Sequence, residues 1–156
     1  MVTGFNSFQY AGNPVAALRE AGRVAKRSGF VVITTFGDPD GMEVALLLAA
    51  LKPLLPPPPA GAPGPFALSD ETALRRFATD AGLQPVDVFD VDSPWVYPDD
   101  AAALRGLTST GNAVRAMEHV SEDVVTEAYA KAIAPFRQPG GSIRASAWFR
   151  CLLARP

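Results

Sequence analysis

The first 37 residues constrain the fold of this chain more than any other stretch. Val2–Phe5 is a short apolar segment, and Asn6–Asn13 is a polar and aromatic turn. Pro14 to Lys26 has helical spacing, and Phe30–Phe36 is an apolar run that ends on Gly37. A strand, a crossover helix and a second strand make one βαβ unit, which demands a parallel sheet. Parallel strands need cover on both faces and a neighbour at each edge. Nothing upstream of Val2 supplies one of those neighbours, so the chain is expected to be the later part of a larger sheet.

The helix from Pro14 begins well, with Asn13 as cap and proline at the first helical position. Val15, Leu18, Ala21, Gly22 and Ala25 fall on one stripe, while Arg19, Glu20 and Arg23 lie off it. Gly29 is expected to close this helix. Phe30–Phe36, apolar except for two threonines, then reads as a strand covered on both faces. The loop Gly37–Gly41 follows the carboxyl end of that strand, the edge where open α/β sheets bind ligands.

Further on, Met42–Leu51 is apolar almost all round and expects cover on most sides. Seven prolines crowd into residues 53–65, and Pro56–Pro59 is expected to adopt polyproline II as a stiff connector. Ser69 is the expected cap of the next helix, which buries Leu74, Phe77, Ala78 and Ala81 and stops at Gly82. Val86–Val91 alternates as a strand with one face toward water. Pro94–Pro139 holds three helical pieces, near Asp99–Leu107, Ala113–Val120 and Ser121–Ala134. The last is expected to bury Val124, Val125, Ala128, Ala132 and Ile133. Pro139-Gly140-Gly141 turns into a final strand, Ser142–Ala154.

Composition removes several function classes. The chain has 156 residues, enough for one domain at most, and 48% of them are hydrophobic. Lys and Arg number 14 against 16 Asp and Glu, which argues against a nucleic-acid footprint. The local basic group Arg23, Lys26 and Arg27 complements a helix C-terminus. Cys151 is the only cysteine, so no intrachain disulfide forms, and it reads as a small core hydrophobe. Val44–Leu51 is too short to span a membrane and no signal pattern opens the chain. These features set a soluble, cytoplasmic expectation.

The stretches Val2-Thr3-Gly4-Phe5-Asn6-Ser7-Phe8-Gln9-Tyr10-Ala11-Gly12-Asn13-Pro14, Ala17–Val24 and Lys26-Arg27-Ser28-Gly29-Phe30 resemble a known family. They are similar to the fourth strand, fourth helix and fifth strand of class I S-adenosylmethionine-dependent methyltransferases, nearest the small-molecule, ubiquinone-biosynthesis-like subgroup. The family's Lys-Pro-Gly-Gly turn reads Lys26-Arg27-Ser28-Gly29 here. The resemblance runs on through Leu68–Glu71 and Ala81-Gly82-Leu83 to Trp148-Phe149-Arg150. It spans nearly the whole chain but only the second half of the family's domain.

The resemblance implies an α/β fold: the C-terminal half of a Rossmann-like sheet, about four strands, mixed, with the last antiparallel. It implies a single partial domain over 1–156. Residues 1–37 form the βαβ unit, 38–66 a lid helix and Pro-rich connector, 94–139 a helical cap insertion, and 142–154 the final strand. Insertions of this kind close over the substrate in the family. The cofactor implied is S-adenosylmethionine, and the partner a small-molecule acceptor. Asn6, Ser7, Phe8 and Gln9 correspond to residues near the methionine portion and the transferring methyl. Their residue-level alternative is that Asn6–Asn13 merely turns the chain.

Phe36, Asp38, Trp95, Tyr97 and Met117 are the candidate acceptor contacts. His119, the only histidine of the chain, is the candidate catalytic base, since imidazole is the usual proton carrier near neutral pH. Each of these is also compatible with a packing role. The carboxylates at 38, 40, 90 and 92 lack the spacing of a metal set, and no metal is expected. No Gly-x-Gly follows a strand and opens a helix, so the usual cofactor loop is missing. If that loop and its ribose carboxylate are together worth about 4 kcal/mol, affinity falls roughly a thousandfold. The isolated chain is therefore expected to be inactive. The competing expectation is a non-catalytic assembly module pairing through Val2–Phe5, with its own copy or with an N-terminal half.

Overall fold

A computed structural model describes residues 1–58 and 64–156. The expected polyproline stretch runs into residues 59–63, so its end lies outside the described residues. The chain divides into two compact units. The first holds Met1–Gly41, the described part of Gly61–Asp92, and Trp148–Pro156; the second holds the described part of Met42–Ala60 and Ser93–Ala147.

In the first unit, β1 (Val2–Phe5), α1 (Pro14–Val24) and β2 (Val31–Phe36) form the expected βαβ unit. The two strands pair in parallel, with Val2 opposite Val31 and Phe5 opposite Thr34. Asn13 caps α1 by accepting from the Ala16 N–H at 3.0 Å. The helix ends at Val24, before the expected Lys26, because Ala25 is already extended. Gly29 closes only a following turn, through its N–H to the Lys26 carbonyl.

Two further strands complete a mixed four-stranded sheet in the order β1-β2-β6-β3. These are β3 (Gln84–Asp92) and β6 (Trp148–Arg155). The last strand lies between β2 and β3 and is antiparallel to both. The helix α3 (Glu71–Asp80) is capped by Asp70, not by the expected Ser69. The Asp70 carboxylate accepts from the Ala73 N–H at 2.8 Å, while the Ser69 N–H is spent on the Phe66 carbonyl.

The core of this unit lies on one sheet face. Leu18 and Ala21 of α1 and Leu74, Phe77 and Ala78 of α3 pack over Val31, Ile33, Leu152 and Ala154. This burial is the main stabilising term, at about 25 cal/mol per Å² of apolar surface. On the opposite face the rings of Phe36 and Phe149 stack at 4.9 Å between centroids, and Phe66 leans on Phe36 at 5.4 Å. Cys151 is buried there, its sulfur 3.6 Å from the Thr34 hydroxyl.

The expected alternation of β3 is present but its water-facing side is the apolar one. Phe89 and Val91 are each 43% exposed, whereas Asp90 lies on the helix-covered side and holds Arg150. β3 is an edge strand, and a bulge between Pro85 and Asp87 breaks its register.

The second unit contains α2 (Glu43–Ala49), β4 (Trp95–Tyr97), α4 (Asp100–Thr108), α5 (Gly111–Met117), α6 (Glu122–Ile133) and β5 (Ile143–Ala145). The three helices of the insertion fall within two residues of their expected ends, except at the C-terminal end of α5. Asp99 and Thr110 cap α4 and α5 through side-chain oxygens.

Three expectations change here. The single final strand is two strands: Ile143–Ala145 pairs with Trp95–Tyr97 in a separate ribbon, and the chain breaks register at Ser146 and Ala147. The Ser146 N–H donates to a Glu43 carboxylate oxygen at 2.6 Å, and its carbonyl accepts from the Val44 N–H, which fixes that break. In α6 Val125 and Ile133 are buried as expected, but Tyr129 completes their stripe and Val124 is 40% exposed. Finally α2 ends at Ala49, and Leu46 on it is 63% exposed, so the helix is not covered all round. No helix of the described residues is long and apolar enough to cross a membrane.

Candidate ligand-binding site

The carboxyl ends of β1 and β2 carry the polar groups that packing does not explain. β1 hands over to Asn6, whose φ of 44° lies in the left-handed region. Asparagine tolerates that region better than other side chains because its short amide bonds locally. Here the Asn6 N–H donates to the Thr34 carbonyl at 2.8 Å, and its Oδ1 accepts from Gln9 Nε2 at 3.0 Å. The turn that follows, Phe8–Tyr10, is a single 3₁₀ turn.

Gln9 is only 3% exposed, and its Oε1 has no partner among the described residues. A buried acceptor left unpaired costs about 1–3 kcal/mol, so Gln9 is held in place at a cost to stability. Phe8 is placed differently. Its ring lies over Gly4, where a Cβ would stand 2.1 Å from the ring edge, and it packs against the helix-covered core. Ser7 and Tyr10 are exposed, and partial burial pushes the Tyr10 hydroxyl above its ordinary pKa.

Thr35 is a second such group, and sequence reasoning passed over it. It is fully buried, and its Oγ1 is unpartnered among the described residues. It projects on the helix-covered side of β2, opposite Arg150 of β6 in register. Threonine is ordinary in strands, and nothing in the sequence set Thr35 apart from Thr34. Just beyond, Phe36 is buried in its aromatic cluster. Gly37 sits under Trp148, where an added Cβ would meet the indole Cδ1 at 2.2 Å. Asp38 is exposed and accepts from the Asp40 N–H at 3.0 Å, which shapes the loop.

Thus Asn6, Gln9, Phe36 and Asp38 all lie at one end of adjoining strands in the first unit. The remaining candidates belong to the second unit. Trp95 and Tyr97 lie on β4, both half-buried, and Tyr97 packs on Gly106 of α4 at 3.0 Å from a built Cβ. Burial raises the Tyr97 hydroxyl pKa, with the neighbouring Tyr129 adding to it. Met117 ends α5 and is half-buried, whereas His119 is exposed just beyond it. Among the described residues no three His, Cys, Asp or Glu side chains gather as a metal site would need.

The class these elements define is a mixed α/β sheet with a parallel crossover and an antiparallel last strand. Among solved structures the chain is similar to a Bacillus halodurans C-125 protein provisionally described as a methyltransferase. The two share 13% identity with a TM-score of 0.49, over 99% of this chain and 68% of that one. No family model matches the chain. No curated protein matches it.

Proposed function

We propose that the chain is the later part of an S-adenosylmethionine-dependent methyltransferase domain that acts on a small-molecule acceptor. The reading starts from the sequence resemblance of Val2–Phe30, and one observation carries it further. Gln9 is buried beside the carboxyl ends of two parallel strands, tied to a left-handed Asn6, with an acceptor oxygen left free. A ligand ammonium or amide donor reaching Gln9 Oε1 would remove the cost of that unpaired group. The antiparallel last strand, paired with β3, agrees with the family pattern.

When bound, the cofactor supplies an already activated methyl group, so the protein's task is alignment and exclusion of water. Asn6 and Gln9 hold the amino-acid end, Ser7 stands beside them, and Phe8 fixes the turn by packing its ring on Gly4. Phe36 and Asp38 in the first unit are the proposed acceptor contacts. Within the second unit, Trp95, Tyr97 and Met117 have that role and His119 is the proposed base. These residues carry no Gly-x-Gly turn after a strand, so cofactor affinity of the chain by itself is expected to be millimolar. Calorimetric titration with S-adenosylmethionine tests this. Weak saturable binding that disappears in Gln9→Leu supports the reading, and no heat at several times the expected Kd sinks it. Low-micromolar binding would overturn the claim of weak affinity.

A second reading, a strand-pairing assembly module, is favoured by the contrast between the two sheet edges. The β3 edge carries Asp87, Asp90 and Asp92, charges of the kind that discourage further pairing. β1 has no charge and no proline, and Phe5 on it is 69% exposed. The Val2 and Asn6 N–H groups donate to Phe30 and Thr34, so by alternation those of Thr3 and Phe5 point away from β2. The partner is a second copy or an N-terminal segment that pairs with Val2–Phe5. Sedimentation of wild type and Thr3→Pro decides: a complex lost on removing that one N–H supports it, and a stable monomer argues against self-pairing.

A further inference from the structure

The second unit contains an apolar groove that the sheet site does not use. Leu46 of α2 and Ala50 just beyond it form one wall and Val124, Ala128 and Ala132 of α6 the other, with Phe136 at the end. Its volume is about 660 Å³. Sequence periodicity assigns these α6 residues to the core together with Val125 and Ile133. The structure buries Val125 and Ile133 as expected, adds Tyr129, and leaves Leu46 63% and Val124 40% exposed. An apolar stripe turned outward on a well-formed helix needs a cover.

We propose that a second copy of this chain covers it, with the two α6 helices packed antiparallel about a two-fold axis near Ala128. The charges select this occupant. Glu127 and Lys131 are the charged residues lining the groove, and in one chain they pair at 2.7 Å. Reversing the helix direction about Ala128 sets Val124 against Ala132 of the second copy. It also brings Glu127 to within two residue rises, about 3 Å along the axis, of Lys131 of the second copy. The stripe is therefore complementary to itself in both shape and charge, as an isologous interface requires. Alanine at the crossing point lets the helix axes approach to about 8–10 Å. A uniformly apolar ligand would make no use of the Glu127 and Lys131 charges at the rim, and a basic or acidic peptide would use only one of them.

Sedimentation equilibrium of the full chain tests the inference. Wild type is expected to dimerise, and Glu127→Lys to weaken the dimer about tenfold by replacing two cross-pairs with like charges. The double variant Glu127→Lys/Lys131→Glu is expected to restore wild-type affinity. Ala128→Trp is expected to be monomeric with an unchanged circular dichroism spectrum. Should that variant misfold, the charge-reversal pair still decides. A monomer at about 0.1 mM, well above a micromolar Kd, overturns the inference. So does a dimer indifferent to the α6 changes but lost in Thr3→Pro, which places the contact on β1. Monomeric protein that takes up an apolar dye in a manner blocked by Ala128→Trp also overturns it, in favour of a small ligand.

Discussion

Arg150 on β6 grips Asp90 on β3 through two parallel hydrogen bonds, Nε to Oδ1 at 2.8 Å and Nη2 to Oδ2 at 2.7 Å. Its third arm, Nη1, donates to the Ser69 carbonyl at 2.5 Å, just before α3. One side chain thus joins the edge strand, the central strand and the start of a helix. The Arg150 side chain is 19% exposed and that of Asp90 41%, so the pair is partly screened.

The guanidinium beside Asp90 holds its carboxyl below the ordinary aspartate range. As pH falls, the unfolded chain therefore binds this proton first. The pair's contribution is fully present above about pH 4 and fades as pH drops through the lowered folded value. Asp90→Asn should cost about 0.5–1 kcal/mol at pH 7, given the exposure. The gap between wild type and variant should narrow as pH falls below about 4. Urea melts at several pH values check this, and a gap that stays constant with pH refutes it.

Asn6 provides a backbone test that is independent of ligand. Asn6→Ala and Asn6→Gly both lose the bond from Gln9 Nε2, but only alanine must bear the left-handed φ. Alanine should be less stable than glycine by about 1 kcal/mol. Denaturant midpoints compared directly between these two variants remove the shared term.

Gly37→Ala should be a damaging small change at this end of the sheet. The new methyl would fall 2.2 Å from Trp148 Cδ1, and the Gly37 N–H already donates to the Trp148 carbonyl at 3.1 Å. The backbone has little room to withdraw. Overpacking of this kind costs about 1–3 kcal/mol. Gly37→Ala/Trp148→Phe, which replaces the indole with a smaller ring, should recover part of the loss in thermal melts.

Thr35→Val removes a buried hydroxyl that has no partner among the described residues. Stability should change by less than about 0.5 kcal/mol or rise, because nothing is left unpaired. If Thr35 also meets a ligand, cofactor titration weakens while the melting curve does not. A loss above about 2 kcal/mol would instead mean that the hydroxyl is hydrogen-bonded in the folded protein.

Local patterning accounts for most of what was readable in advance. The parallel βαβ unit, the Asn13 cap and the α1 stripe follow from period and cap chemistry, which act within a few residues. The four strands of the main sheet and the three insertion helices were legible for the same reason. Helix ends were less so. Ser69 and Asp70 are both good caps, and in the structure it is the Asp70 carboxylate that accepts from the Ala73 N–H. Asn6 and Gln9 were singled out through the family resemblance, and the structure adds that they bond to each other just after β1. Thr35 was hidden because threonine is ordinary in strands, and only full burial without a partner sets it apart.

By itself, then, the sequence determined the elements and the parallel crossover, since these depend on near-neighbour periodicity, capping and proline or glycine placement. Tertiary structure decided where β6 inserts, that Ser142–Ala154 splits between two sheets, and which stripe of α6 is buried. Those choices rest on contacts between residues far apart in the chain, such as Glu43 with Ser146 and Asp90 with Arg150. Val124-Ala128-Ala132 and Val125-Tyr129-Ile133 are both apolar stripes at helical spacing, and only the packing partners distinguish them.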